Sequence, residues 1–125
     1  MPKIIPAPAQ INAAGTDGKI IEEFFGAVNS KSTDLSIARM KSQQGWDEPG
    51  QCPEFDEYTL ILSGTLQVRT KKEMFLVVSG QAILCKAGEW IQYSTPFAEG
   101  AEYISVCVPA FSIESVHRDE PVITS

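Results

Sequence analysis

Short apolar stretches separated by turn-forming residues make up most of the chain after residue 34. Apolar and β-branched side chains dominate or alternate with polar ones in residues 35–40, 58–62, 65–70, 74–78, 81–86, 89–93 and 102–108. Many short strands with a turn about every 8–12 residues are typical of a β-sandwich or a small barrel. The pattern therefore predicts an all-β protein, in which Ser63-Gly64 forms the turn of a hairpin between 58–62 and 65–70.

The two ends of the chain have a weaker pattern. Residues 1–18 are rich in Pro, Ala and Gly, which predicts an extended arm with turns. In residues 19–28 the apolar positions suit a helix, but Gly26 and the β-branched residues disfavour one, so both structures stay open. We expect a barrel domain over residues 19–112 and a charged tail over 113–125. The tail, which carries His117, is predicted to be solvated; the alternative is a tail that folds over a barrel mouth, its own or a neighbour's.

Length and charge narrow the class of protein. A chain of 125 residues has the length of one domain. Ten Lys and Arg residues against sixteen Asp and Glu residues give a net charge of −6, which disfavours binding to nucleic acid and to membrane surfaces. No stretch approaches the roughly 20 apolar residues of a membrane span, and the first residues lack the apolar core of a signal peptide. We expect a cytoplasmic protein.

The three cysteines are widely spaced and form no Cys-x-x-Cys pair. This spacing predicts neither a disulfide framework nor a four-ligand zinc site. Cys85 and Cys107 lie in predicted strands, where we expect them to be buried as small apolar residues. Cys52 lies in a polar loop, and a reactive role there would require a nearby cation that lowers its pKa.

The strand pattern and the turn glycines resemble those of the cupins. Gly45, Glu57 and Gly64 match the spacing of the first cupin motif, and Gly80 and Gly88 match that of the second. Lys86 stands where the second motif has proline. The segments EFDEYTLILSGTLQV and AGEWIQYSTP are similar to cupins of ethanolamine utilisation. The resemblance implies a double-stranded β-helix, or jelly-roll barrel, preceded by the extended N-terminal arm.

The resemblance also implies where a metal would bind. In metal-binding cupins two histidines and a glutamate of the first motif and one histidine of the second bind a divalent ion. With the three-residue spacing of the first motif, its histidine positions carry Gln51 and Pro53; with the four-residue spacing they carry Gly50 and Cys52. The histidine position of the second motif carries Ile91. Only Glu57 remains, which leaves too few strong donors for such a site. We expect no metal; a metal, if present, would use Glu57 with Cys52 or Gln51.

Glu57 is the candidate catalytic residue. The resemblance points its side chain into the barrel, on the same face as Thr59 and Ile61. A carboxyl group in an apolar interior has a raised pKa unless hydrogen bonds oppose the shift, and this property suits a general acid or base. The alternative is a structural carboxylate bound by tyrosine or main-chain donors.

Other residues are candidates for ligand binding. Aromatic side chains near the motifs can stack on a ligand or can pack in the core or a dimer interface. Arg39, a basic residue in an apolar strand, requires a carboxylate partner, for which Glu57, Glu102 or an acidic ligand are the alternatives. The full set of candidates is Arg39, Trp46, Gln51, Cys52, Trp90, Tyr93 and Tyr103.

Three functions remain open from the sequence. The first is a small-molecule-binding cupin without a metal, with weak acid/base chemistry through Glu57. The second is a metal-dependent cupin enzyme, such as a dioxygenase, decarboxylase or isomerase, with substitute ligands. The third is a non-catalytic scaffold or regulatory subunit that dimerises through edge strands, with the N-terminal arm crossing to its partner. We expect a homodimer by analogy with the fold.

Overall fold

A computed structural model describes residues 1–119 of the chain. Within this range the regular secondary structure is β-strand except for one short helix, which confirms the predicted all-β class. The elements are β1 (Ala9–Ile11), β2 (Lys19–Phe25), β3 (Ser36–Ser42), β4 (Trp46–Asp47), β5 (Asp56–Thr70), β6 (Met74–Val78), β7 (Ala82–Cys85), β8 (Ile91–Thr95), β9 (Ala101–Val108) and the short helix α1 (Ile113–Val116). No helix among the described residues is long and apolar enough to cross a membrane.

The longest strand, β5, belongs to both sheets of the barrel. Its first half pairs with β7 and β9, and its second half pairs with β6 and β8. A bulge lies between Ile61 and Ser63, and Gly64 follows it with a φ of 75°. The predicted hairpin turn at Ser63-Gly64 is therefore wrong. The glycine bends one strand from the first sheet into the second, because bulges and glycines allow a strand to turn a corner without ending.

The N-terminal strands complete the first sheet. The strand order is β1-β2-β3-β9-β5-β8-β4, with β6 and β7 also paired to β5. Residues 19–25 form strand β2, which decides between the helix and the strand that the sequence left open. Part of the predicted N-terminal arm is a strand as well, because β1 pairs with β2 of the same chain. The backbone hydrogen bonds of this pairing attach the arm to the barrel.

Alternate side chains of the central strands point into the barrel. Glu57, Thr59 and Ile61 of β5 are buried, as the resemblance implied. Cys85 and Cys107 are also buried, as predicted. One apolar cluster contains Trp46, Ile61, Leu66, Val68, Val77, Cys85, Ile91, Tyr93, Ala101 and Tyr103, and a second contains Phe55, Cys107 and Val116 with Phe111 packed against it.

Gly64→Ala is expected to destabilise the fold more than Gly80→Ala. Both glycines have positive φ angles, at 75° and 85°, which cost an alanine about 1–2 kcal/mol. A Cβ at Gly64 would also lie 2.1 Å from the carbonyl oxygen of Gly100, whereas a Cβ at Gly80 meets no atom within 4 Å. We expect a loss of at least about 3 kcal/mol for Gly64→Ala by urea denaturation. Equal losses in the two variants would contradict the proposed close approach of β5 to Gly100.

Candidate functional site

A small cavity with a largely apolar lining and several polar side chains lies inside the barrel, bordered by residues of both apolar clusters. Its volume is about 60 Å³. Pockets for drug-sized ligands usually measure about 300–1,000 Å³, so this cavity suits a molecule of only a few heavy atoms. The polar groups that line it include Lys19, Glu48, Gln51, Glu57, Tyr93 and Arg118.

Glu57 is buried in the wall of this cavity. Strand β5 directs its side chain inward, where only 7% of the residue is exposed. The hydroxyl of Tyr93 on β8 donates a hydrogen bond to Glu57 Oε1 at 3.0 Å. Burial raises the pKa of Glu57 above its ordinary value, and the hydrogen bond from Tyr93 opposes part of that shift. The carboxyl group can therefore exchange a proton closer to neutral pH than an exposed glutamate.

A second buried carboxyl group, Glu48, lines the same cavity. Glu48 follows β4 in the loop that leads to β5, and 6% of the residue is exposed. Burial raises its pKa, the charge of Lys19 lowers it, and the negative charge of Glu57 raises it further. Its carboxyl oxygens accept no hydrogen bond from residues 1–119. Glu48 is thus free to interact with a molecule in the cavity.

Lys19 places a positive charge beside these carboxyl groups. It is the first residue of β2, and its Nζ lies 3.9 Å from the centroid of the Trp46 ring and 5.5 Å from that of Tyr103. Burial disfavours the charge of Lys19, but the neighbouring Tyr103 and Glu48 raise its pKa above the ordinary value. The ammonium group therefore remains charged at neutral pH.

Gln51 and Arg118 lie next to each other at the cavity. An isolated antiparallel bridge pairs their main chains, so their side chains leave on the same side. Gln51 Oε1 and Arg118 Nε are both buried and have no hydrogen-bond partner among the described residues. The guanidinium carbon of Arg118 lies 5.5 Å from the centroid of the Phe111 ring. The site thus presents one unpaired acceptor and one unpaired donor side by side.

The C-terminal segment, residues 111–119, brings Arg118 to this position. The main-chain N–H groups of Cys52, Glu54 and Asp119 link it to the 50–54 loop, as donors to the carbonyl groups of His117, Ser115 and Gly50 respectively. His117 also forms an ion pair with Glu54. This part of the predicted solvated tail instead folds over the chain's own barrel, the alternative that the sequence left open. The rest of the predicted tail, residues 120–125, lies outside the described residues.

Four of the predicted site residues line the cavity together. These are Gln51, Glu57, Tyr93 and Tyr103. Trp46 is buried in the first apolar cluster, where its Nε1 donates to the carbonyl of Ala14 at 3.2 Å. Trp46 does not line the cavity, but its ring lies against the ammonium group of Lys19, which does.

Three predicted site residues lie elsewhere. Arg39 is exposed on the outer face of β3 and binds Glu22 at 2.7 Å, so the expected pairing with Glu57 or Glu102 is wrong. Cys52 is exposed, and its Sγ donates to the carbonyl of Gly88 at 3.3 Å. Trp90 packs against Gly50 and donates to Asp119 Oδ2 at 2.8 Å. Strand alternation explains the outward position of Arg39, because its neighbours Ala38 and Met40 point inward and line the cavity.

Sequence reasoning missed four charged residues of the cavity. Lys19 and Glu23 lie in the ambiguous segment, Glu48 lies in a polar loop, and Arg118 lies in the predicted tail. Charges in such segments usually face solvent. No signal in the sequence separates them from the exposed charges around them.

The donor set does not fit the divalent metal of metal-binding cupins. Glu57 and Gln51 line the same cavity, but Cys52 does not. Among residues 1–119 no group of three or more His, Cys, Asp or Glu side chains is arranged to bind a metal ion. The carboxyl groups and the amide that line the cavity include no imidazole donor of the kind that iron, manganese or nickel sites of this type use.

Comparison with solved structures identifies the fold. The polyketide cyclase RemF from Streptomyces resistomycificus superposes with a TM-score of 0.76, at 12% sequence identity over 98% of this chain and 87% of its own. The ethanolamine utilisation protein EutQ from Salmonella typhimurium superposes with a TM-score of 0.64, at 18% identity over 83% of this chain and 97% of its own. The chain has the cupin fold. The predicted jelly-roll barrel and the resemblance to cupins of ethanolamine utilisation are confirmed at the level of the fold.

Sequence comparison finds a curated relative of this chain. No family model matches the chain. A Myxococcus xanthus protein named endoribonuclease YbeY is 38% identical over 105 residues, which is 84% of this chain. The chain spans about a third of that relative, 36% of its length.

Glu57→Gln is expected to change how stability depends on pH. Because the folded state raises the pKa of Glu57 above 4.5, the folded protein binds more protons than the unfolded chain over the interval between the two pKa values. The wild type should therefore lose stability relative to Glu57→Gln as the pH rises from about 4.5. Urea denaturation from pH 4 to pH 8 measures this difference.

The matched control is Glu73→Gln, because Glu73 is exposed in the turn between β5 and β6. Its stability difference from the wild type should stay constant over the same range. The raised pKa would be contradicted if the stability of the wild type, relative to that of Glu57→Gln, stayed constant or increased with pH.

Proposed function

We propose that this cupin binds a small polar molecule inside its barrel and that Glu57 exchanges a proton with the bound molecule. The observation that carries this proposal is the position of Glu57, buried in the wall of the cavity and hydrogen-bonded to Tyr93 at 3.0 Å. A general acid or base requires a pKa near the working pH and direct access to the ligand. The raised pKa and the cavity supply both conditions.

The two carboxyl groups suit different steps of such chemistry. Tyr93 donates to Glu57 and so favours its ionised form, whereas Glu48 accepts no hydrogen bond from the described residues. The hydrogen bond from Tyr93, which Glu48 lacks, favours ionisation of Glu57 before Glu48. Two carboxyl groups with separated pKa values can act as base and acid on one ligand. Glu57 is then the base, and Glu48 is the group that remains protonated.

The proposed chemistry uses no metal. The donor set described above lacks the imidazole ligands of metal-binding cupins. The cations in the cavity are the side chains of Lys19 and Arg118, which can neutralise negative charge on a ligand. Proton transfer assisted by these side chains is the alternative to a metal-dependent dioxygenase, decarboxylase or isomerase.

The size of the cavity and the net charge of the chain favour a small ligand over the large substrates that the relatives' names imply. RemF is a polyketide cyclase, but a cavity of about 60 Å³ is much smaller than a polyketide requires. The Myxococcus xanthus relative is named as an endoribonuclease, yet this chain carries a net charge of −6. Because an acidic domain repels phosphate backbones, we infer that RNA cleavage belongs to the part of that protein that this chain does not match.

Ligand binding to the cavity tests the proposal. We expect small acids, amino alcohols or short sugars, screened by NMR, to shift the side-chain resonances of Tyr93 and Tyr103. Binding should persist after EDTA treatment, and Glu57→Gln should weaken it at least about tenfold, since it removes a charged hydrogen-bonding group. The control Glu73→Gln should bind like the wild type. A screen in which no compound shifts the tyrosines, or binding that EDTA abolishes, would overturn the proposal.

We also propose that the protein is a homodimer, located in the cytoplasm as the sequence led us to expect. The outer face of β5, β7 and β9 carries a continuous group of apolar side chains, here called the apolar face. It consists of Tyr58, Leu60, Leu84, Ile104 and Val106, which lie opposite one another in the strand register. Tyr58 and Leu60 are each 46% exposed. Such a patch marks an interaction surface, and an uncharged one is complementary to a second copy of itself.

Leu60→Asp is expected to dissociate the dimer, because it places a charge at the centre of the apolar face. Sedimentation velocity at micromolar concentration should show a dimer for the wild type and a monomer for the variant. The control is Ile20→Asp, since Ile20 is also exposed on a strand but pairs with Lys41 outside the apolar face. A monomeric wild type, or a Leu60→Asp variant that remains dimeric, would refute this arrangement.

The proposed dimer does not require the N-terminal arm to cross to the partner, because β1 pairs with β2 of its own chain.

A further inference from the structure

The unpaired polar atoms of Gln51 and Arg118 indicate what the cavity recognises. Only 3% of Gln51 is exposed, and its Oε1 accepts no hydrogen bond from the described residues. A buried acceptor without a donor costs free energy, as does a buried N–H without an acceptor. The two atoms belong to residues directly paired by a main-chain bridge. A molecule that satisfies both must present a hydrogen-bond donor and an acceptor close together.

Lys19 adds a second cation to the same space. No carboxylate oxygen among residues 1–119 lies within ion-pair distance of its ammonium group. The charge of Lys19 influences both Glu48 and Glu57, and so does that of Arg118. The two cations therefore border one space together with the two carboxyl groups.

We propose that Arg118 and Lys19 bind the carboxylate of a small hydroxy acid, and that Gln51 accepts a hydrogen bond from its hydroxyl group. Guanidinium and ammonium groups form their strongest hydrogen bonds with carboxylates. The neighbouring hydroxyl supplies the donor that Gln51 Oε1 requires. This inference rests on the proposed function, since it names the ligand class for the same cavity.

The charge balance of the cavity is compatible with an anion. Three acidic residues line it, namely Glu23, Glu48 and Glu57. Glu23 accepts hydrogen bonds from the main-chain N–H groups of Val28 and Asn29 at 3.0 Å each, so its charge is compensated within the β2–β3 loop. Burial disfavours the charge of Glu48, whose carboxyl group accepts no hydrogen bond from the described residues. With Glu48 neutral, Lys19 and Arg118 exceed the single charge of Glu57 and leave one positive charge for the carboxylate of a ligand.

Size gives the upper limit of the ligand. A cavity of about 60 Å³ accommodates a molecule of a few heavy atoms. Two-carbon hydroxy acids meet both the size and the required pair of functional groups. The C-terminal segment contributes Arg118 directly, which gives this segment a role in recognition in addition to closing the barrel.

Calorimetric titration with glycolate tests the inference, with ethylene glycol as the neutral analogue of the same length. We expect the wild type to bind glycolate at least about tenfold more tightly than ethylene glycol, because a charged hydrogen bond is stronger than a neutral one. Arg118→Gln and Lys19→Gln should each weaken glycolate binding by a similar factor and weaken ethylene glycol binding much less, because only glycolate carries the charge that the two cations bind. Melting temperatures without ligand establish that each variant folds.

The matched control is Arg39→Gln, which removes an arginine that pairs with Glu22 outside the cavity. It makes the same change in net charge and should bind glycolate like the wild type. Equal losses in Arg39→Gln and Arg118→Gln would overturn the inference, because they would show an effect of net charge alone. Inorganic phosphate bound as tightly as glycolate would overturn the assignment to a hydroxy acid.

The outcomes also separate this inference from the proposed function. Binding of ethylene glycol or ethanolamine, but not of glycolate, would overturn the assignment of an anionic ligand and retain a small-molecule cavity. If Arg118→Gln fails to fold, an unchanged affinity in Lys19→Gln still overturns the carboxylate site. Absence of binding by glycolate and by every compound of the wider screen would overturn both proposals.

Discussion

The barrel depends on the continuity of strand β5 through the corner at Gly64. One strand of fifteen residues contributes hydrogen bonds to both sheets, so the two sheets cannot separate without breaking it. At the corner, Gly64 lies against Gly100, where any side chain would collide with the carbonyl group. Before this corner, the first half of β5 pairs with β7 and β9 in the first sheet, whereas the second half pairs with β8 in the second sheet. As a result Glu57 and Tyr93, 36 positions apart in the chain, come within hydrogen-bond distance.

Burial of charge is the second constraint, and it follows from the first. Once the barrel closes, the inward-pointing side chains of its strands are removed from water, whether they are apolar or polar. Apolar clusters fill much of the interior, but the space between them contains carboxyl and cationic groups. Desolvation raises the pKa values of Glu48 and Glu57, and the nearby cations oppose it only in part. A polar interior of this kind is unfavourable for stability alone and is typical of a binding site.

Strand periodicity predicted much of the fold. It was least informative where one residue type, such as glycine, is compatible with two local structures. The inward face shared by Glu57, Thr59 and Ile61 agrees with the structure, but the resemblance to cupins implied that direction and the alternation alone did not. The glycine at position 64 suits both a hairpin turn and a bend within a strand, and only the pairing partners of β5 distinguish them. Arg39 illustrates the same limit, because its partner Glu22 lies on a neighbouring strand whose register the sequence does not reveal.

The sequence by itself determined the all-β class, the jelly-roll resemblance and the inward position of Glu57, since these follow from local periodicity and motif spacing. The composition of the site was decided only by the tertiary structure. Lys19, Glu48 and Arg118 come from three distant segments, and each is an ordinary surface charge when judged by its neighbours in sequence. These three side chains come together only because distant strands pair and residues 111–119 dock on the 50–54 loop. A local sequence pattern does not specify which distant segment a strand or loop will contact.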